Sequence, residues 1–344
     1  MDRDGTQIGS AKGRVKLRAL GDCPNRGGLY LPAAMERLIA NERVPDRYRR
    51  AIVALGNFDG FHLGHQAVVN RAVALGFHQR RPVIVATFDP HPVRFFKPDI
   101  PPFRLTNLEQ RQRLFAAAGA DAMLVFRFDA DLAATSAEDF VAELLGERIG
   151  AAGVVTGEDF TFGRGRGGNA ELLRELGAEH GIAAETVAAV LVDGERVSSG
   201  RIREALAAGD PGTATRLLTR AFAVEGEVER GDGRGASELG CPTANLRLGD
   251  YQRPKYGIYS VRVRLDEETE YPGVASFGVR PMFEPPVELL EAHLFGFSGD
   301  LYGRTIEVAL HHYIRPEQKF GSMAALAERM REDAAEARRL LALA

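Results

Sequence analysis

Cysteine is scarce: Cys23 and Cys241 are the only two among 344 residues. A disulfide framework needs more, and the count fits a reducing compartment. Long apolar runs are missing too, and no stretch approaches the ~18 uncharged apolar residues of a bilayer span. The opening MDRDGTQIGSAKGRVKLR has basic residues with no apolar run behind them, so it does not read as a secretory signal. These absences make the cytoplasm the expected location. An excess of one charge is also lacking: 44 basic residues face 47 acidic ones, a net charge of −3. That balance gives no reason to expect a nucleic acid or a membrane as partner. A phosphorylated small molecule needs only a local positive site and stays open. There is no internal repeat and no low-complexity tract. What is present is an ordinary globular composition, long enough for two domains of ~100–200 residues each.

The chain changes character along its length. Residues 1–45 read as an extension with one helix around Pro32–Asn41. From Ala51 onward, apolar strands alternate with helices. The strands are Ala51–Leu55, Pro82–Phe88, Ala122–Phe126 and Gly153–Thr156. The helices are His65–Leu75, Leu108–Ala118 and Ala137–Leu145. This alternation predicts an α/β domain, a parallel sheet covered on both faces that binds ligands beyond the carboxyl ends of its strands. Glu204–Leu218 reads as helical, then connecting. After Phe222 the runs are short and strand-like: Ala223–Val228, Ile258–Arg264, Gly273–Ser276, Glu291–Phe295 and Thr305–Leu310. They predict a small antiparallel β-barrel or sandwich. Leu326, Met330, Ala337 and Leu341 share one face of a terminal amphipathic helix, Met323–Leu341.

The strongest local signal is GNFDGFHLGH, residues 56–65, where a strand turns into a helix. Gly56, Gly60 and Gly64 let the backbone approach a ligand. His62 and His65, three apart, can face one way in the first helical turn. Two imidazoles at a helix N-terminus suit a polyphosphate. The same residues would also make a tight turn with two surface histidines. A second cluster holds Gly231 and Gly235 in a glycine-rich loop, followed by GCPTANL. Thr243 and Asn245 there offer neutral oxygens suited to Mg2+. Glu291, before an apolar strand, could serve as a general base. On these features alone, a barrel with glycine-rich turns is the favoured reading. No Walker-type Gly-Lys-Thr occurs, which excludes a P-loop kinase. GRGRGG at 163–168 could suggest RNA binding, but a single copy in a near-neutral protein reads better as a mobile loop near the active site. Asp89 and His91 could be metal ligands or loop residues beside a ligand pocket.

GNFDGFHLGH is similar to the signature of the nucleotidylyltransferase superfamily. ATFDPHPVRFF (86–96), VVTGEDFTFGRGRGGN (154–169) and VSSGRIREAL (197–206) resemble one branch of it, the bacterial bifunctional riboflavin kinase/FAD synthetases. GCPTANL, PKYGIYSV (254–261), EAHLFGFSGDLYG (291–303) and IRPEQKF (314–320) resemble the same family's kinase module. The likeness runs from about residue 50 to the C-terminus. It implies a Rossmann-like nucleotidylyltransferase domain, then a barrel-shaped riboflavin kinase domain. The expected division is an extension over 1–45, an FMN adenylyltransferase domain over 46–204, a linker over 205–221 and the kinase over 222–344.

The implied activity is phosphorylation of riboflavin to FMN, then adenylylation of FMN to FAD, with ATP as co-substrate and Mg2+ as cofactor. The implied nucleotide residues of the first domain are Gly56, Asn57, Phe58, Gly60, His62, Gly64, His65, Asp159, Ser198, Ser199 and Arg203. Of these, His62 and His65 would hold the β- and γ-phosphates, while Ser198, Ser199 and Arg203 would close over the triphosphate. In the second domain, Gly231, Gly235, Thr243 and Asn245 would meet Mg-ATP, with Thr243 and Asn245 toward the metal. Glu291 would be the catalytic base, and Glu288 a nearby decoy. The sequence departs from the family pattern at Gly200, Ala236, Cys241, Met282 and Gly296. The departures in the second domain keep two alternatives in view: an FAD synthetase with a weak kinase-like appendage, and a non-catalytic flavin or nucleotide sensor. An adenylyltransferase acting on another nucleotide would not need the second domain. Oligomeric state, including a homo-oligomer, is left open.

Overall fold

The computed structural model describes residues 35–343, apart from 41, 231–242, 267 and 281–286. Six strands form a sheet in the order β1 (Glu36–Ile39), β4 (Ala122–Arg127), β3 (Val83–Asp89), β2 (Ile52–Leu55), β5 (Gly153–Gly157), β6 (Ala183–Val187). Every pairing in it is parallel. Alternation along β2 explains why both faces need covering. Ile52 and Ala54 pack with Val68, Val69 and Ala72 of α1 (Leu63–Gln79) and Phe115 of α3 (Leu108–Ala117). Val53 and Leu55 face the other way. They pack with Val141, Leu145 and Ile149 of a π-helical run, Phe140–Ile149, and with Leu173 of α6 (Ala170–Glu179). Continuous burial on both sides requires the near-unbroken apolar strands that the sequence displays.

The strand order reverses direction at β2. β3 and β4 lie on one side of it, β5 and β6 on the other. A crevice therefore opens beyond its carboxyl end, where ligands of such sheets bind. GNFDGFHLGH occupies that point, running from the end of β2 into the first turn of α1.

One expected element is different. The segment read as a helix around Pro32–Asn41 contains strand β1 over Glu36–Ile39, paired with β4; its residues 32–34 and 41 lie outside the described ones. Helix-forming residues such as Met35, Glu36 and Leu38 are overridden by the open edge of β4, whose main-chain groups need partners. The 163–168 segment, expected as a mobile loop, is tied at its base. Phe162 and Gly168 close it with reciprocal backbone hydrogen bonds of 3.0 and 2.9 Å.

The second half is an antiparallel sheet in the order β10 (Ala244–Leu246), β13 (Val287–Leu294), β12 (Glu270–Arg280), β11 (Gly257–Arg264), β14 (Thr305–Arg315), β9 (Phe222–Glu227). A bridge from Glu229 to Asn245 joins its two edges and nearly closes the barrel. The terminal helix, Met323–Leu340, is fixed to it by a buried pair, Arg315 Nη2 to Asp333 Oδ2 at 2.6 Å. Between the halves lie α7 (Ser199–Ala208) and α8 (Pro211–Leu218). Their Ile202, Leu206, Leu217 and Leu218 share one core with Val224, Tyr259 and Phe277 of the barrel.

Candidate functional site

The crevice is a cleft of about 760 Å3. Gly56, Asn57, Phe58, His62, Gly64 and His65 line one wall; Asp159, Ser198 and Ser199 line another. These nine sequence-predicted residues are brought together from stretches more than 90 positions apart. Two helix N-termini converge there. His62 caps α1, its Nδ1 accepting from the His65 N–H at 3.3 Å. Ser198 caps α7, accepting from the Arg201 N–H at 3.2 Å. Ser199 Oγ ties the two by donating to Asp59 O at 2.9 Å. Exposed N–H groups and the positive ends of two helix dipoles make this corner receptive to anions.

The His62 and His65 rings are stacked, 3.6 Å apart and 16° from parallel. They are not the surface pair that a simple turn would give: His62 is 6% exposed. Burial pushes the His62 pKa down to about 4, with Asp59 opposing it and Arg196 and Arg203 reinforcing it. Burial and the neighbouring His62 hold His65 well below the usual range. Both rings are therefore neutral at pH 7, and each carries one N–H donor. Because His62 Nδ1 accepts from a backbone N–H, its proton belongs on Nε2. His65 Nδ1 is buried without a hydrogen-bond partner among the described residues.

Two predicted residues stand elsewhere. Gly60 does not line the cleft. Its φ of +86° and the 2.8 Å approach of Leu105 Cδ1 to an added Cβ make it a backbone requirement. Arg203 does not line it either. Its Nη2 donates to Asp59 Oδ2 at 2.6 Å and its Nε to Phe103 O at 2.7 Å. The cations that do line the cleft are Lys97, Arg166 and Arg196, and Arg196 pairs with Asp159 at 2.6 Å. Arg196 lies directly before VSSGRIREAL and has no helical or strand periodicity to mark it. Arg166 was visible inside GRGRGG.

The other end of the cleft is aromatic, with Phe88, Phe96, Phe128, Phe160 and Phe162 along it. Phe160 and Phe162 stack at 5.9 Å and 12°. His91 also lines the cleft, with its Nδ1 accepting from the Val93 N–H at 3.2 Å. Asp89 is engaged by Arg104 at 2.9 Å and Arg111 at 3.8 Å. His91 thus caps a helix and Asp89 is an ion-pair partner, and no group of three or more His, Cys, Asp or Glu among the described residues could hold a metal ion.

In the barrel, Asn245 and Glu291 are cross-strand partners, and Glu291 is opposite Ser276 on its other side. The neighbouring row, Ala244–Ala292–Ala275, is buried in the core. Strand alternation thus turns Asn245, Ser276 and Glu291 to the opposite face. Glu291 Oε2 accepts from Arg280 Nη2 at 2.6 Å, and Arg280 also reaches Ser276 Oγ at 2.7 Å and Glu317 Oε1 at 3.0 Å. Arg280 was visible only as a neighbour of Met282. Asn245 Oδ1 is buried and lacks a hydrogen-bond partner among the described residues. Glu288 is odd-spaced from Glu291, so it faces the other way, and Arg253 holds it at 2.8 Å. Gly231, Gly235, Ala236, Cys241 and Met282 lie outside the described residues. Gly296 has φ +74°, a left-handed turn that suits glycine. Thr243 is the first residue described after the gap.

A parallel sheet with an anion-receptive corner at its reversal point, joined to a barrel presenting its own carboxylate, defines a two-module nucleotide-using transferase. Residues 44–201 match the FAD synthetase family and residues 218–341 match the riboflavin kinase family. The chain is 40% identical over 300 residues to a bifunctional riboflavin kinase/FMN adenylyltransferase of Pseudomonas fluorescens, covering 86% of this chain and 94% of that one. The protein of the same description from Escherichia coli K12 is 38% identical over 292 residues, 85% of this chain and 93% of that one. A solved structure titled as a macrolide-efflux protein from Streptococcus pneumoniae is similar at a TM-score of 0.78 and 29% identity, over 88% of this chain and 98% of that one. Efflux is said there of that protein; no helix among the described residues here is long and apolar enough to cross a membrane. The chain belongs to the bifunctional riboflavin kinase/FMN adenylyltransferases. It serves FAD biosynthesis through those two steps.

Proposed function

We propose that FMN adenylylation takes place in the sheet cleft and riboflavin phosphorylation on the Glu291 face of the barrel. The observation that carries the first assignment is the stacked, neutral His62–His65 pair at the α1 N-terminus. In adenylyl transfer an FMN phosphate oxygen attacks the α-phosphorus of ATP, and the bond to pyrophosphate breaks. The nucleophile is already an anion, so no activating base is needed. The protein's task is alignment and neutralisation of charge on the leaving group. His62 and His65 donate to the β- and γ-phosphates, assisted by the N–H groups at Ser198 and Ser199. Arg166 and Arg196 add charge, and Arg203 braces Asp59 under the loop. The aromatic end of the cleft accommodates the flavin ring by stacking.

For riboflavin phosphorylation, Glu291 takes the proton of the terminal ribityl hydroxyl as that oxygen attacks the γ-phosphorus and ADP leaves. Arg280 orients the carboxylate. The unpartnered Oδ1 of Asn245 fits a hard cation, so Thr243 and Asn245 are the residues that would hold Mg2+. When bound, that ion would neutralise phosphate charge during transfer. With no membrane-crossing helix described, the cytoplasm is the proposed location.

The test separates the two sites. Replacing both His62 and His65 by Ala should abolish FAD formation from FMN and leave FMN formation from riboflavin near its original rate. An equal fall in both activities in a folded variant would sink the two-site assignment.

A further inference from the structure

The loop carrying His62 has an uncommon backbone. Phe58, Gly60 and Phe61 all lie in the left-handed region, with φ of 50°, 86° and 42°. Only the glycine does so without steric cost. Such a shape persists where its surroundings hold it. On one side the hold is local to the first module: the Asp59 carboxylate accepts from the Leu105 and Thr106 N–H groups at 2.9 and 3.1 Å and from Arg203 at 2.6 Å. On the other side it comes from the segment that leads into the barrel. Arg220 Nη2 donates to Gly60 O at 2.8 Å. Arg220 Nη1 donates to Leu218 O at 3.1 Å and reaches Phe61 O at 3.5 Å. Gln66 completes the brace, with Nε2 donating to Phe61 O at 3.0 Å, Leu218 O at 3.2 Å and Thr219 Oγ1 at 2.9 Å.

Arg220 lies two residues before the barrel's first strand begins at Phe222, and Leu217, Leu218 and Phe222 on either side of it are in the shared core. Its acceptors are main-chain carbonyls, and burial draws the guanidinium down to about 10. A fork of N–H donors on successive loop carbonyls fixes backbone direction, which a single ammonium cannot do.

We propose that Arg220 is a positioning residue for adenylyl transfer: by gripping Gly60 and Phe61 it sets the α1 N-terminus and the His62 ring, and it makes that geometry depend on the seating of the kinase barrel. The proposal rests on the assignment of adenylyl transfer to the His62–His65 cleft. On this reading the second module supports the first without lending a group to its chemistry.

The test uses the full chain with Mg-ATP. Arg220→Gln should lower kcat/KM for FMN adenylylation by about ten- to a hundredfold, the scale on which small misplacements act. Riboflavin phosphorylation should stay within about twofold, serving as the control for folding. Arg220→Lys should fall between wild type and Arg220→Gln. In Arg220→Ala, low millimolar guanidinium should restore part of the adenylylation, and an equal concentration of sodium chloride should not. No loss of adenylylation, an equal loss of both steps, or a loss that guanidinium does not restore would each overturn the proposal. His62→Ala is run beside these variants. If it keeps FAD synthesis, the cleft assignment itself is wrong; if it loses FAD synthesis while Arg220→Gln does not, only the role of Arg220 is wrong.

Discussion

His62 is placed where a proton is costly in the unliganded protein. Water is excluded from the ring, and Arg196 and Arg203 add like charge, while Asp59 compensates in part. His91, in the same cleft, is also pushed down to about 4, chiefly by burial. Above pH 6.5 these imidazoles are neutral both folded and unfolded, so stability is intact. Between 6.5 and about 4 the unfolded chain binds protons that the folded site refuses, so stability falls with pH. For His62 the full effect is about 3 kcal/mol at 1.36 kcal/mol per unit. Thermal melts of the unliganded protein should drop between pH 7 and pH 5, and His62→Gln should flatten that slope. A slope unchanged by the substitution would mean that the ring is not desolvated as described. At this scale much of the site was legible, because GNFDGFHLGH concentrates its chemistry in ten adjacent residues. Arg196, Arg280 and Arg220 were not singled out. Each acts through one or a few long-range contacts, and an isolated arginine carries no periodicity to flag it.

Among elements, the short helix α7 shows how a departure from a family pattern can be physically mild. Gly200 lies in its first turn, behind the Ser198 cap, and an added Cβ would meet only Ser198 Oγ, at 3.7 Å. Gly200→Ala should therefore raise stability by about 0.5 kcal/mol through reduced backbone entropy in the unfolded chain. A calorimetric Tm higher by ~1 °C is the expected reading for a protein of this size; a clear decrease would show a constraint at Gly200 that its surroundings do not reveal. The strands of the sheet were readable because both of its faces are buried. Strand β1 was not, since its Glu36 and Leu38 and the adjacent Met35 favour helix, and only the edge of β4 makes the strand extended. Strand β6 and helix α6 also escaped notice: β6 is an edge strand with partly exposed, Ala-rich positions.

On the scale of the whole molecule, the two modules are joined by more than a connecting chain. Residues 205–221, expected as a linker, hold the end of α7 and all of α8, whose apolar side chains complete the barrel core. Helix α3 adds a polar seam. Gln110 Nε2 donates to Ala223 O at 3.1 Å and Glu307 Oε2 at 3.0 Å, while its Oε1 accepts from Tyr251 at 2.8 Å. Arg113 reaches Glu225 and Glu307 across the same seam. Contacts over such sequence distances leave no local pattern, so the sequence announced two domains and was silent on their union. Yet the chemical groups remain on separate faces: the imidazoles in the sheet cleft, the carboxylate on the barrel.

The most direct test of that separation is a chromatographic product assay on the full chain with Mg-ATP, comparing wild type with Glu291→Gln. Wild type should convert riboflavin to FMN and then FAD. The variant should lose FMN formation by about 10²–10⁴-fold, the usual contribution of a positioned base, while making FAD from supplied FMN at the wild-type rate. Unimpaired FMN formation in Glu291→Gln, or loss of FAD formation from FMN in the folded variant, would contradict the account.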